Sequence, residues 1–204
     1  MLVKKENVVD IYNVIAKDYA KTFLKPTSYI EIFLKLLPKK GKILDVGCGV
    51  GTDSGFAKSK GFFPVGIDLS KEMLKIAKHN YPLIDFHLGD MRKIKLHGKF
   101  DGIIASYSLI HIIKKEIPGI LRNFNKILND KGLLYIALQS GQSDEIFINE
   151  PFDHKRNLFL NIISSSEINN LLKENGFKII KEYKRKSKGD EINFTKLFII
   201  AQKI

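Results

Sequence analysis

The sequence predicts an α/β fold with helices on both faces of a mostly parallel β-sheet. Short apolar segments of strand character alternate with helical segments along the chain, which is typical of parallel sheets joined by right-handed crossovers. The last two strands follow one another without a helix between them, so one of the two must run antiparallel to its neighbour. The expected architecture is a three-layer sandwich around a seven-stranded sheet with one antiparallel strand near the C-terminus.

The segment 1–38 predicts helices ahead of the first strand. Apolar side chains recur there at helical spacing, and Pro38 stops the second helix. Residues that can cap a helix, such as Ser70 and Ser164, occur at later helix starts. The expected helices are 6–24, 28–37, 52–58, 70–80, 114–128 and 164–175.

The strands are predicted from short apolar runs that end at turn residues. The first run, Ile43–Val46, leads directly into three glycines at alternate positions. Residues 139–163 have an irregular polar pattern, and an irregular segment of that length in a compact domain is usually functional. The expected strands are 43–46, 61–68, 83–88, 100–105, 133–138, 177–183 and 194–202.

The composition predicts a single domain over residues 1–204, with 44% hydrophobic residues. A net charge of +12 is compatible with a nucleic-acid partner. However, only four of the 34 basic residues are arginines, and the lysines are spread along the whole chain. Arginine forks and interleaved aromatic side chains are more typical of nucleic-acid sites, so the lysines indicate a compositional bias.

The single cysteine, Cys48, excludes an internal disulfide and a zinc site built from several cysteines. The histidines do not have metal-ligand spacing, so we expect no metal. No apolar run reaches the roughly 18–20 residues of a membrane span, and the N-terminus does not have the pattern of a signal peptide. We therefore expect a cytoplasmic protein without a membrane segment.

The glycine turn indicates a nucleotide-binding site, since glycine lets the backbone bend sharply and approach a ligand closely. The third glycine, Gly51, comes one residue earlier than in a dinucleotide-binding fingerprint, and Thr52 follows it. Asp68, at the end of the second strand, suits the two hydroxyls of an unphosphorylated ribose. A phosphate-binding Walker loop is excluded because Gly-Lys-Ser/Thr does not follow these glycines.

The chain resembles the class I S-adenosylmethionine-dependent methyltransferases from Tyr12 to its C-terminus. Five motifs in the family's order and spacing make this resemblance specific, whereas each alone would be weak. The resemblance implies a Rossmann-like fold and S-adenosylmethionine as methyl donor, with S-adenosylhomocysteine as its product. The motifs are ILDVGCGVGT (43–52), VGIDLSKEML (65–74), GDM (89–91), FDGIIASYSLIHI (100–112) and NKILNDKGLLYIAL (125–138).

The resemblance also implies a role for each matching residue. Asp45 would hold the ammonium group of the cofactor and Asp68 its ribose, while Asp90 would bind the adenine amino group beside Met91. Ser106 would offer its carbonyl to the ammonium group. The residues assigned to the cofactor in this way are Tyr12, Tyr19, Asp45, Gly47, Cys48, Gly49, Gly51, Asp68, Leu69, Asp90, Met91 and Ser106.

The resemblance further implies that helices in 1–38 form a lid, with Tyr12 and Tyr19 over the cofactor. Ordinary amphipathic packing predicts the same helical spacing for these two tyrosines. His111, just beyond the fourth strand, is the candidate general base, although a histidine there can also serve only in local packing. The acceptor pocket is expected from segment 139–163 and from Tyr107, His111, Glu150 and Arg156, with Tyr107 a second candidate for a part in the transfer.

The favoured function is an enzyme that moves the sulfonium methyl group by in-line displacement to an O, N or S atom of a small molecule. An enzyme acting on RNA and a protein that binds the cofactor without turnover are the alternatives. The turn Ala105–Ser108 differs from the Pro-Pro motif of methylases that act on nucleic-acid amino groups. We expect a monomer or a homodimer.

Overall fold

The computed structural model describes residues 5–189 and 191–204. Its helices are α1 (Lys5–Thr22), α2 (Ile30–Leu36), α3 (Thr52–Ser59), α4 (Lys71–Asn80), α5 (Ile117–Ile127) and α6 (Ser165–Glu174). Its strands are β1 (Lys42–Val46), β2 (Phe63–Asp68), β3 (Asp85–Leu88), β4 (Phe100–Ser106), β5 (Leu128–Ser140), β6 (Asp144–Asn149), β7 (Asn157–Ile162), β8 (Phe177–Arg185) and β9 (Thr195–Lys203).

Seven strands form one sheet in the order β3-β2-β1-β4-β5-β9-β8. The pairs from β3 to β5 are parallel, whereas β9 runs antiparallel to both β5 and β8. β9 is therefore the antiparallel strand near the C-terminus, which confirms the predicted fold class. The arrangement also brings the end of β8 and the start of β9 to the edge at which β1, β4 and β5 end.

Helices cover both faces of this sheet. α5 and α6 bury Ile120, Phe124 and Leu172 against one face, and α2 buries Phe33 and Leu34 against the other. The central strands are buried on both faces, so they are read in the sequence as continuous apolar runs rather than alternating ones. No helix within the described residues is long and apolar enough to cross a membrane.

The segment 139–163, expected to be irregular, folds as a β-hairpin. β5 continues to Ser140, and β6 and β7 pair antiparallel as a separate two-stranded sheet. In β6 the apolar residues Ile146 and Ile148 are partly buried on one side, and the neighbouring positions are exposed. This alternation covers only a few residues and is flanked by polar ones. The period-two pattern of a strand was therefore not apparent in the sequence.

Smaller differences concern where elements begin. β3 starts at Asp85 rather than 83, because Tyr81 and Ile84 close a turn and leave Leu83 81% exposed. α2 begins at Ile30 after Tyr29, whose φ is 66°. Thr27, which lies just before this helix, donates to the Asp53 carboxylate from its backbone nitrogen and its hydroxyl, both over 2.7 Å.

Candidate functional site

A cleft of ≈ 240 Å³ opens at the carboxyl ends of β1, β2 and β4 beneath α1. In an open α/β sheet this edge is the usual place for a ligand, because strand order reverses there. Most of the residues predicted to bind the cofactor line the cleft. These residues are Tyr12 and Tyr19 on α1, Gly47 and Gly49 in the turn after β1, Asp68 and Leu69 at the end of β2, Asp90 and Met91 after β3, and Ser106 at the end of β4; the predicted acceptor residues Tyr107 and His111 also line the cleft.

The glycine turn after β1 contains two different kinds of glycine. A Cβ on Gly49 would meet nothing closer than the Tyr19 ring at 4.0 Å, so its backbone faces open space in the cleft. A Cβ on Gly51 would lie 2.8 Å from Cζ of Phe86, and its φ is 82°. Gly51 therefore serves the packing of α3 against β3, and its predicted approach to a ligand is not seen.

Asp68 fixes the turn between β2 and α4. Its Oδ2 accepts from the backbone nitrogen of Gly49 over 2.9 Å, and its Oδ1 accepts from that of Ser70 over 2.8 Å. Burial raises the pKa of Asp68, and these two hydrogen bonds oppose the shift. The carboxylate is thus held in place by backbone donors while it lines the cleft.

Two further carboxyl groups lie buried behind the glycine turn. Asp45 is 2% exposed, and its Oδ2 accepts from the Ser54 hydroxyl over 2.7 Å. Burial, together with a smaller effect of the nearby Asp53, raises the pKa of Asp45 to about 8. Burial also raises the pKa of Asp53. Two adjacent carboxyl groups in a dry environment are suited to a cationic ligand.

The opposite end of the cleft is bounded by an ion-pair network. Arg92 Nε donates to Glu116 Oε2 over 2.6 Å, and its Nη1 donates to Asp90 Oδ1 over 3.3 Å. Met91 between them is buried, with its methyl group near Gly47. The network joins the loop after β3 to the segment before α5. It places positively and negatively charged side chains at this end of the cleft.

The helix α1 contacts the turn after β4 through a tyrosine–histidine pair. The Tyr12 hydroxyl lies 2.7 Å from Nε2 of His111, whose Nδ1 lies 3.0 Å from the Phe159 carbonyl oxygen. Burial lowers the pKa of His111 to about 4. Burial also raises the pKa of Tyr12 and of Tyr19, so the phenols remain protonated at neutral pH.

The turn that follows β4 forms the floor of the cleft. Tyr107 has a φ of 49°, a left-handed conformation that is costly for a bulky residue and is concentrated at functional sites. The Ser108 hydroxyl is buried without a hydrogen-bond partner in the described part of the chain, whereas the Ser106 side chain bonds to the Asp53 carboxyl group and opposes the rise in its pKa. An unpaired polar atom such as the Ser108 hydroxyl indicates a ligand or an ordered water.

Five predicted residues lie outside the lining of the cleft: Asp45 and Gly51, described above, and Cys48, Glu150 and Arg156. Cys48 packs with Phe86 between the sheet and α4, and burial raises the pKa of its thiol well above the usual value. Glu150 is 2% exposed and accepts from the backbone nitrogens of Phe152 and Asp153, both over 2.7 Å. Arg156 Nε donates to Asp153 Oδ2 over 2.8 Å. Glu150 and Arg156 therefore stabilise the tip of the hairpin instead of pointing into the cleft.

Sequence reasoning missed several residues of the site. The cleft is lined by Ser108, Arg92 and Glu116, and Asp53 lies buried behind it. The contact between Tyr12 and His111, which are 99 positions apart, was also not predicted, although each residue was. Asp53 follows the glycine motif at once, so its position in the first turn of α3 was a usable signal. The Arg92–Glu116 pair depends on tertiary contact and has no local signal.

S-adenosylmethionine fits the groups that the cleft presents. Its ribose hydroxyls can donate to Asp68, which lines the cleft, while Asp45 and Asp53 lie buried behind the glycine turn and outside the lining. The open face of Gly49 leaves room for a ligand against the backbone. Among the residues that the structure describes, no group of three or more His, Cys, Asp or Glu side chains is placed to hold a metal ion.

Comparison with known proteins agrees with this arrangement. Residues 19–182 match the model of a methyltransferase domain family. An uncharacterized methyltransferase of Alkaliphilus oremlandii is 32% identical over 136 residues, which are 67% of this chain and 59% of the relative. The dTDP-3-amino-3,4,6-trideoxy-alpha-D-glucopyranose N,N-dimethyltransferase of Streptomyces venezuelae is 28% identical over 62% of this chain and 55% of its own length.

Among solved structures, magnesium protoporphyrin IX methyltransferase from Synechocystis PCC 6803 with bound S-adenosylmethionine has the same fold. The TM-score is 0.76 at 18% identity, over 100% of this chain and 99% of that chain. The chain spans less than two thirds of the length of the curated relatives it matches. The motifs, the fold and the family model agree, and the chain belongs to the class I S-adenosylmethionine-dependent methyltransferases.

Proposed function

We propose that the protein transfers the methyl group of S-adenosylmethionine to a small organic molecule. The observation that carries this proposal is the closed cleft in which Asp68, Gly49 and the turn after β4 face Tyr12 and Tyr19 of the lid. The Streptomyces relative acts on a sugar nucleotide and a Rhodobacter relative on magnesium protoporphyrin, as their names state. Both are consistent with a small-molecule acceptor.

Each part of the donor has a proposed partner in the cleft. Asp68 binds the ribose hydroxyls with the lone pairs that Gly49 and Ser70 leave free, and Leu69 packs beside it. Asp45 holds the ammonium group, assisted by the Ser106 carbonyl. Asp90 and Met91 bind the adenine ring. The buried Ser108 hydroxyl provides a further hydrogen bond.

When bound, S-adenosylmethionine supplies a methyl group that its positive sulfur already activates. The protein therefore mainly aligns the acceptor and excludes water, and proximity and orientation contribute several kcal/mol to such a reaction. Tyr12 and Tyr19 close the cleft from the lid side, and Tyr107 bounds it from the sheet side. The segment 139–163 contributes through Phe152, whose ring lies 6.4 Å from that of Tyr19 between centroids.

His111 is the proposed general base for an acceptor that holds its proton. With a pKa of about 4, its imidazole is neutral at pH 7, and Nε2 is the nitrogen that faces the cleft side. In the structure the Tyr12 hydroxyl lies 2.7 Å from this nitrogen. A displacement of Tyr12 by the acceptor would give Nε2 a new hydrogen-bond donor, from which it can accept the proton.

Calorimetry with S-adenosylmethionine and S-adenosylhomocysteine tests donor binding, with NADH as the control ligand. A screen of small metabolites with a labelled methyl donor then tests transfer. We expect both donor ligands to bind and at least one acceptor to become labelled. Binding without any labelled acceptor would favour a regulatory protein, and labelled RNA with strongly salt-dependent binding would favour an RNA substrate.

A further inference from the structure

Three strands bring a row of hydrogen-bond donors to the edge of the sheet that holds the cleft. Arg185 on β8 lies directly opposite Lys196 on β9, and Lys196 lies directly opposite Gln139 on β5. Directly paired residues share one face of a sheet, so these three side chains form a single row. The Lys196 ammonium donates to Gln139 Oε1 over 3.2 Å.

The neighbouring residues on the same face of the sheet lie between this row and Tyr107, which lines the cleft. Phe198 pairs with Ala137, and the backbone nitrogen of Tyr107 donates to the Ala137 carbonyl over 2.9 Å. The guanidinium carbon of Arg185 lies 5.6 Å from the centroid of the Phe198 ring, and the Tyr107 ring centroid lies 6.3 Å from the same point. Tyr107 also lines the cleft. Arg185 and Tyr107 therefore flank one buried ring.

The charges in this row are not balanced. Arg185 Nη1 and Nη2 donate to the two Glu191 oxygens over 2.6 and 2.7 Å, so this carboxylate offsets one positive charge. Lys196 is only 3% exposed, and its further hydrogen bond goes to the uncharged Ile192 carbonyl over 2.7 Å. Like charges directly opposite one another destabilise a sheet, and burial increases the cost.

Arg185 also retains an unused donor. Its Nε is buried without a hydrogen-bond partner within the described ranges. A buried donor without a partner costs about 1–3 kcal/mol, so a group that completes it is expected. On the other side of the Phe198 ring, Tyr107 has a left-handed backbone with a φ of 49°. Unfavourable features of this kind are concentrated where a ligand binds.

We propose that the methyl acceptor carries an oxyanion, either a carboxylate or a phosphate, and that Arg185 and Lys196 bind it beside Tyr107. This inference rests on the methyl-transfer function proposed above. An oxyanion supplies the second negative charge that the row lacks, and its oxygens accept from Lys196, from Arg185 and from the Tyr107 hydroxyl. The bound anion holds the rest of the acceptor in the cleft, with its nucleophilic atom near Ser106.

The direct test is a calorimetric titration of malonate and of inorganic phosphate at constant ionic strength. The protein is titrated both without and with saturating S-adenosylhomocysteine. We expect saturable binding of at least one anion, at least tenfold weaker in the Lys196→Met variant. The matched control is Lys184→Met, since Lys184 precedes Arg185 on β8, has a side chain 52% exposed, and lies on the opposite face.

A stability measurement separates this role from a structural one. Lys196→Met removes a buried charge beside Arg185, so we expect its melting temperature to be equal to or higher than that of the wild type. Arg185→Gln serves as the second variant and is expected to weaken anion binding as well. Absence of saturable binding to the wild type would overturn the proposal. Equal binding to wild type and Lys196→Met, together with a lower melting temperature of the variant, would also overturn it.

Binding of S-adenosylhomocysteine is scored separately in the same samples. If it binds and neither anion does, the oxyanion site is wrong and the methyl-transfer proposal stands. If neither variant nor wild type binds S-adenosylhomocysteine, the proposed function fails, whatever the anions do. In the labelled-methyl screen, Lys196→Met is expected to raise KM for an acidic acceptor at least tenfold and to leave KM for S-adenosylmethionine unchanged.

Discussion

The Tyr12 hydroxyl and His111 Nε2, 2.7 Å apart, connect α1 to the turn after β4. Because the Phe159 carbonyl can only accept, the proton of the neutral imidazole is on Nδ1, and Nε2 accepts from the tyrosine. One ring thereby joins α1, the sheet edge and the hairpin. A movement of any of these three segments changes the hydrogen bonding of His111.

The first prediction concerns His111 as the base. We expect His111→Gln to lower methyl transfer by about a hundredfold or more, the usual contribution of a general base, and to leave S-adenosylhomocysteine affinity within about threefold. The pKa of about 4 implies a wild-type rate that does not respond to this group between pH 6 and 8. His87→Gln on β3, with an exposed side chain, is the control. Undiminished turnover of His111→Gln would remove the base role.

The second prediction concerns Asp68 and the donor ribose. Asp68→Ala removes two charge-assisted hydrogen bonds to the ligand, each worth about 1.5–3 kcal/mol. We expect the Kd for S-adenosylmethionine to rise about a hundredfold in calorimetry. Asp85→Ala, an exposed carboxylate at the start of β3, is expected to leave it unchanged. If Asp68→Ala binds as tightly as the wild type, the ribose lies elsewhere.

The third prediction concerns pH and stability through Asp45. Its pKa rises from 3.8 in the unfolded chain to about 8 in the folded protein, so the folded state binds more protons between these values. The free energy of unfolding therefore falls as pH rises from about 4 to 8, by about 1.4 kcal/mol for each pH unit at most. Below pH 4 this group has no further effect.

Asp45→Asn retains the shape of the side chain and removes its ionisation. We expect denaturant unfolding at pH 5, 6.5 and 8 to show a smaller decline for this variant than for the wild type. The difference should be largest at pH 8. Parallel declines in the two proteins would show that Asp45 is not the group responsible.

The fourth prediction compares two glycines with nearly the same backbone. Gly51 and Gly61 have φ values of 82° and 87°, but a Cβ meets Phe86 at 2.8 Å in the first case and no atom within 4 Å in the second. We expect Gly61→Ala to cost about 1 kcal/mol from backbone strain, and Gly51→Ala about 3 kcal/mol because overpacking is added. Equal losses on thermal unfolding would show that Phe86 moves aside freely.

The sequence predicted the sheet and the helices, because each depends on local pattern, and most of the residues assigned to the donor line one cleft. A strand followed by a glycine turn can be recognised within ten residues of sequence, as at Ile43–Thr52. Glu150 and Arg156, assigned to the acceptor pocket, are not among the residues that line the cleft, and each has a nearby partner in the hairpin tip. Such partners form only after the turn folds, and residue type alone does not reveal them.

The acceptor side was less accessible because it is assembled from distant segments. The row of Arg185, Lys196 and Gln139 requires the register of three strands, and that register follows from tertiary packing. The hairpin was hidden by its polar flanks, while its contact with the lid depends on Phe152 meeting Tyr19 and Phe23. Long-range pairing of this kind leaves no periodic trace in a single sequence.

The separate two-stranded sheet of β6 and β7 has a consequence for how the protein can diversify. Its ladder hydrogen bonds are internal, but β7 buries Leu160 and Ile162 in the main core, and the Asn161 side chain donates to the Ile112 carbonyl over 2.9 Å. In β6, by contrast, the positions beside Ile146 and Ile148 are exposed. Exposed positions of β6 can therefore change without altering the main sheet, whereas β7 is constrained by the core that it shares with that sheet.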